Sequence, residues 1–364
     1  STGTNAQNGT VAIGYSALIA LTSGAANTAI GYQAAAELSD NSHNTVVGYQ
    51  AMYRSGATTY YNTFIGSQSG SGDWATSPHS NTAVGAATMT GVMTDAAIGN
   101  VAVGRDSLYA VTSGASNTAV GYLAGNAITT GGNNTAIGKS AMSDMIAGAY
   151  NIAIGSLAMA DYKGDDGNNA GSKNIAIGAS AMETFQGGTG NVHADTRFDR
   201  NIALGYNSFR GADFNNASVV VTDNIAIGDE ALNSTGVNPQ LGTIAIGSNA
   251  LTSLTSGSAN TAIGYKAAWK ATTAASSTAV GNFALGGAAA SALTGNNNTA
   301  IGRNALADAY DNATNNTAVG NQCLEEVTNG KYNTAIGAYA GDVLTTGENN
   351  TYLGYYALAE SATE

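Results

Sequence analysis

Apolar and polar positions along this chain follow neither a helical period nor a long strand alternation. They recur instead as a five-residue unit, Asn27-Thr28-Ala29-Ile30-Gly31, repeated with small changes from end to end. Nineteen copies align on terminal glycines at Gly14, Gly31, Gly48, Gly66, Gly85, Gly104, Gly121, Gly138, Gly155, Gly178, Gly205, Gly228, Gly247, Gly264, Gly281, Gly302, Gly320, Gly337 and Gly354. Nine of the eighteen intervals are 17 residues and the others are longer. A minimum unit with tolerated insertions predicts stacked coils, each column of the repeat becoming a ladder.

The columns carry the physics. The fourth position is β-branched or leucine in every copy, and the third is alanine except at Val46, Phe64 and Tyr352. The second is threonine in twelve copies and valine or isoleucine in seven. In a strand, positions two and four share one face and position three points the other way. Both faces are therefore apolar or small, as in a parallel strand covered on both sides. A 17-residue coil can fill one side itself, so the alanine face is expected to pack against neighbouring subunits. The corner glycine suits a positive φ. The first position is asparagine in sixteen copies, Thr10, Thr243 and Ser277 departing, and predicts a hydrogen-bonded ladder. A second short segment follows each glycine, with a small residue three positions on. Met52, Met89, Met142, Met159 and Met182 fall one position further, as core fillers. Nineteen coils at about 4.8 Å each predict a parallel β-roll, or β-solenoid, roughly 90 Å long.

Composition narrows the class. Of 364 residues, 48 are glycine, 2 are proline and 10% are charged, too little glycine for collagen and too little charge for a long coiled coil. A net charge of −12 without a basic cluster opposes nucleic-acid binding. No run of about 18 apolar residues predicts a membrane-inserted helix. The single cysteine, Cys323, excludes an internal disulfide and sits in a small-residue column, as a buried inert thiol. No cofactor is expected. The chain opens on Ser1, so a processed product or a piece of something longer is expected.

The residues Asn27 to Ala34, Asn-Thr-Ala-Ile-Gly-Tyr-Gln-Ala, resemble repeats of bacteriophage tail-fibre proteins and are similar to the head repeats of trimeric autotransporter adhesins, whose motif runs Asn-Ser-Val-Ala-Ile-Gly. The resemblance covers nearly the whole chain. It implies a left-handed parallel β-roll, three chains around a threefold axis, and an extracellular place on a virion tail fibre or a bacterial surface. The 17-residue unit is longer than that of the adhesins, and no coiled-coil stalk, anchor barrel or self-cleaving chaperone domain is seen.

The repeat divides the chain into regular coils at 1–155, coils with long insertions at 156–227, and regular coils at 228–364. Intervals of 23, 27 and 23 residues in the middle stretch predict loops on one side of the stack, where function commonly sits. Candidate receptor-binding residues there are Asp161, Lys163, Asp165, Asp166, His193, Asp195, Arg197, Phe198, Asp199, Arg200, Asp213 and Phe214. Asp161, Asp165, Asp166 and Asn168 could offer oxygens to calcium, but their spacing departs from the twelve-residue calcium loop, and a solvated acidic turn is the simpler reading. His43, His79 and His193 lie in connecting segments without metal-ligand spacing. Seven tyrosines follow corner glycines, at Tyr15, Tyr32, Tyr49, Tyr122, Tyr206, Tyr265 and Tyr355, and are expected to cover the corners, a sugar-binding stripe being the alternative.

Among function classes, a non-catalytic homotrimeric fibre that contacts a host or surface receptor, a glycan being one class of receptor, fits best. The head of a bacterial trimeric adhesin or an extracellular filament subunit is the alternative. An enzyme would need two spaced carboxylates, for which only Asp195 and Asp199 come into consideration. An ice-binding array of threonines is interrupted by five consecutive coils at Ile152, Ile175, Ile202, Ile225 and Ile244.

Overall fold

The computed structural model describes residues 7–55, 58–74, 76–163, 171–186, 197–211, 219–234, 240–286, 292–309 and 312–358. The chain is an all-β parallel β-solenoid, without a helix among the described residues, and forms two compact units, Ser1–Asn174 and Ile175–Glu364.

In the first unit each repeat core becomes a three-residue strand, from Val11–Ile13 to Ile152–Ile154, nine in all. Each pairs in parallel with the next in strict column register, as in Thr118↔Thr135, Ala119↔Ala136 and Val120↔Ile137. The second unit repeats the arrangement with ten strands, from Ile175–Ile177 to Thr351–Leu353. A smaller parallel stack beside it joins Arg197–Asp199, Val220–Thr222 and Gln240–Leu241. Its first two strands belong to the long coils, so part of the inserted sequence builds an extra ladder, which the 19-residue coil after Gly228 extends by one level.

The alanine face is the reverse of the sequence expectation. Ala29, Ala83, Ala119, Ala136, Ala203, Ala262 and Ala335 are at most 1% exposed within a single chain, so this column fills the coil's own core. The reason is width: opposite walls of a 17-residue coil lie too close for a larger side chain at most levels. The small residue three past the glycine, the methionine column and a further apolar column seven past the glycine, including Leu38, Val111, Ile128 and Val327, complete that core. The five methionines are core fillers, each buried.

Positions two and four consequently face outward. The fourth-position residues Ile30, Ile65, Val84, Val103 and Ile137 are each 37% exposed. The threonine column beside them is half-buried.

The corner glycines have φ from +121° to +146°, a region closed to residues with a side chain. After the corner the chain is not a second strand. Residues two and four past the glycine take left-handed conformations, as do Ser140 (φ 54°) and Met142 (φ 52°) after Gly138. Their amides point in opposite directions along the stack: Ser140 N–H donates to Tyr122 O at 2.8 Å and Met142 N–H to Ala158 O at 3.0 Å. Turns thus satisfy their backbone between coils, as strands do.

The asparagine column forms the expected ladder. Asn134 donates its backbone N–H and Nδ2 to Asn117 Oδ1 at 3.0 and 3.1 Å, gives Nδ2 to Gly148 O at 2.7 Å, and accepts from Asn151 through its own Oδ1. Thr243 interrupts it. Its amide still reaches Asn224 Oδ1 at 2.9 Å, but its buried hydroxyl has no hydrogen-bond partner. An orphaned buried hydroxyl costs about 1–3 kcal/mol, and each restored bond is worth about 1 kcal/mol. Thr243→Asn should therefore stabilise the second unit by roughly 1–2 kcal/mol, raising its melting temperature by about 2–6 °C in calorimetry. An unchanged or lower midpoint would show that the level is too tight for the longer side chain.

Candidate interaction surfaces

Three kinds of surface come out of these coils. The first is the outward strand face, a ladder of Thr, Val and Ile at position two and Ile, Val or Leu at position four. It recurs in both units, with Ile263, Ile301 and Ile336 exposed by 38–44% in the second. Each residue alone is unremarkable, since single exposed apolar side chains are normal. In register over consecutive coils, however, they form a continuous β-branched face.

The second surface surrounds the inserted coils, where the candidate receptor residues divide. Asp161 and Lys163 lie in the strand Asp161–Lys163, where Asp161 is half-buried. Arg197 is exposed and lies 3.6 Å from Asp199 through Nη2 and Oδ2. Arg200 makes a bidentate pair with Asp223, Nε to Oδ1 at 2.7 Å and Nη2 to Oδ2 at 2.9 Å. That guanidinium holds the Asp223 carboxyl below its usual range, and the carboxylate raises Arg200 in turn. Phe198 turns inward: it is fully buried, edge-to-face on Phe185 at 5.3 Å, while Phe209 contacts the same ring. The alternation of a strand explains this, because Phe198 stands between Arg197 and Asp199 and must face the other way. Asp165, Asp166, His193, Asp195, Asp213 and Phe214 lie outside the described residues, as does most of the 161–169 turn considered for calcium.

The third surface is aromatic. The seven post-corner tyrosines are all exposed, from 44% at Tyr122 to 76% at Tyr355. They form no continuous stripe, because Ser67, Ala86, Lys139 and other residues interrupt the column. Where three coils in a row carry tyrosine, the rings stack: Tyr15 on Tyr32 at 5.3 Å and Tyr32 on Tyr49 at 5.4 Å. One column over, Gln50 Nε2 donates to Gln33 Oε1 at 2.8 Å. Near the asparagine ladder, His43 stacks on Tyr61 and His79 on Tyr60, both at 4.9 Å. The second unit holds a different cluster, with Lys266 Nζ 4.7 Å from the Trp269 ring centre and 5.6 Å from that of Phe283.

Among the described residues no group of three His, Cys, Asp or Glu is placed to hold a metal, and no helix is long and apolar enough to cross a membrane. Cys323 is buried, with Sγ 3.2 Å from Ala335 O, and burial pushes its thiol up to about 11. At neutral pH it is an unreactive thiol. Burial and the nearby Glu325 also raise the carboxyls of Asp308 and Asp342.

No protein-family model and no curated protein matches the chain.

Proposed function

We propose that this chain is the non-catalytic shaft of an extracellular fibre, of the kind carried by virion tails, assembled as a homotrimer and contacting a surface receptor through lateral residues. One observation carries the reading. The coils fill their own cores and satisfy their own asparagine ladder, yet keep a β-branched strand face exposed in both units. β-branched residues favour a strand in any setting, but three such faces meeting around an axis would also bury the apolar surface that a single chain leaves exposed at every level. The resemblance to tail-fibre and trimeric-adhesin repeats points to the same assembly. Three chains would carry −36, three times the −12 of one, which keeps neighbouring fibres apart.

Light scattering on the isolated chain should give three times 36.2 kDa. Replacing Ile137 and Ile154 by glutamate places two charges on the outward face without touching the core. That pair should lower the mass towards the monomer while the circular dichroism stays that of a β-solenoid. A wild-type mass of one chain would remove the trimer and, with it, the main support for the fibre.

A further inference from the structure

Three consecutive intervals in the first unit, Gly48 to Gly66, Gly66 to Gly85 and Gly85 to Gly104, are 18, 19 and 19 residues instead of 17. The extra residues cannot enter the strand, whose register is kept as Thr45↔Thr63, Thr63↔Thr82 and Thr82↔Val101. They lie in the segments that connect the strands, and a cleft of about 310 Å³ opens across these three coils after their corners. Its lining includes Gln50, Tyr53, Arg54, Gln68, Asp73 and Thr90.

From this lining we infer that the cleft is a binding site for a neutral pyranose, one ring of a surface oligosaccharide. The volume lies at the small end of ligand sites, fit for one or two sugar rings. The chemistry is that of hydroxyl recognition. Two amides supply both donors and acceptors, the Arg54 fork donates, the Asp73 carboxylate accepts, and the Thr90 hydroxyl does either. Tyr53 supplies the aromatic body on which the apolar face of a sugar ring can rest. The single positive and single negative charge cancel, so neither a phosphate nor a metal cation is selected. The lining also lacks the apolar majority that a lipid or an aromatic ligand needs. The site rests on a rigid base: Trp74 is buried, donates Nε1–H to Gly91 O at 3.1 Å, and packs on Phe64. Gln50 is further held by its bond to Gln33, so its amide is oriented before a ligand arrives.

This inference takes its setting from the fibre reading, but its test is separate from the assembly. Saturation-transfer NMR on the full chain should use the methyl pyranosides of glucose, galactose, mannose, rhamnose and N-acetylglucosamine. At least one should receive saturation. Arg54→Ala and Asp73→Asn should each cut the transfer at least fivefold, while Tyr332→Ala, an exposed tyrosine of the second unit, leaves it intact. Light scattering and circular dichroism on each variant report folding and assembly independently. Transfer to none of the five sugars, or transfer that survives both cleft substitutions, overturns the site. A trimer without sugar binding sinks only the cleft, and sugar binding by a monomer sinks only the fibre assembly.

Discussion

Gly121→Ala should lower the melting temperature of the first unit by about 10 °C or more, although it adds one methyl group to a residue at the surface of a coil. Two costs combine. The corner φ of +138° belongs to a region essentially reserved for glycine, at about 1–3 kcal/mol for another residue. An added Cβ would also stand 2.5 Å from Gly138 O and 2.7 Å from its carbonyl carbon. The obstacle is the backbone of the next coil, which cannot rotate aside as a side chain would. Relief requires pulling the coils apart where Gly138 N–H donates to Val120 O at 2.8 Å. A total of roughly 4–5 kcal/mol corresponds to about 8–20 °C for a unit of this size. Gly242→Ala is the control. Gly242 also has positive φ, at +60°, but a Cβ there meets nothing within 4 Å. It should cost only about 1 kcal/mol. Equal losses for the two would mean that conformation, not stacking, fixes the corner glycine. Scanning calorimetry decides between them.

Much of this was legible in the sequence because a solenoid writes each structural level into a column. The corner glycines, the asparagine ladder and the buried methionines follow from column composition alone. Column composition alone puts the inward and outward faces in reverse, because alternation shows that positions two and four oppose position three without showing which side is the core. Alanine reads equally well as a close subunit contact or as the filling of a narrow coil, and only the coil's width separates them. The left-handed turns left a subtler trace. Gln, Ser, Leu and Met do not announce a positive φ. Yet the columns at two and four past the glycine, and the one before the asparagine, contain no Val, Ile, Thr or Pro at any of the described left-handed positions. In a chain this rich in threonine that omission is a signal, since β-branched residues are the least tolerant of that conformation. The cleft leaves little trace in the sequence, because intervals of 18 and 19 differ by only one or two residues from the basic 17.

The departures from the repeat can be tested against each other at the level where Phe64 replaces alanine in the core column. In the same coil Gly70 stands where neighbouring coils have Met52 and Met89. A Cβ on Gly70 would lie 2.5 Å from Phe64 Cδ1 and 2.6 Å from Cε1, so ring and side chain compete for one space. Backbone conformation is not the obstacle, because Gly70 has φ +64° and methionines occupy the same column at φ 47° and 49°. Gly70→Met alone should destabilise the first unit by at least the 1–3 kcal/mol typical of overpacking, and by more here, since Cβ itself collides. Phe64→Ala alone should cost about 3–5 kcal/mol by leaving a cavity against Trp74, whose ring centre is 5.4 Å away. The double variant recreates the pairing of Ala136 with Met142 and of Ala153 with Met159 found elsewhere in the unit. It should recover to within about 2 kcal/mol of wild type, the remainder being the contact that Trp74 loses. Denaturant melts of the four proteins give the coupling directly. Simple addition of the two losses would show that Phe64 and Gly70 do not share a space, and that the core volume of a coil is not conserved in the way its columns imply.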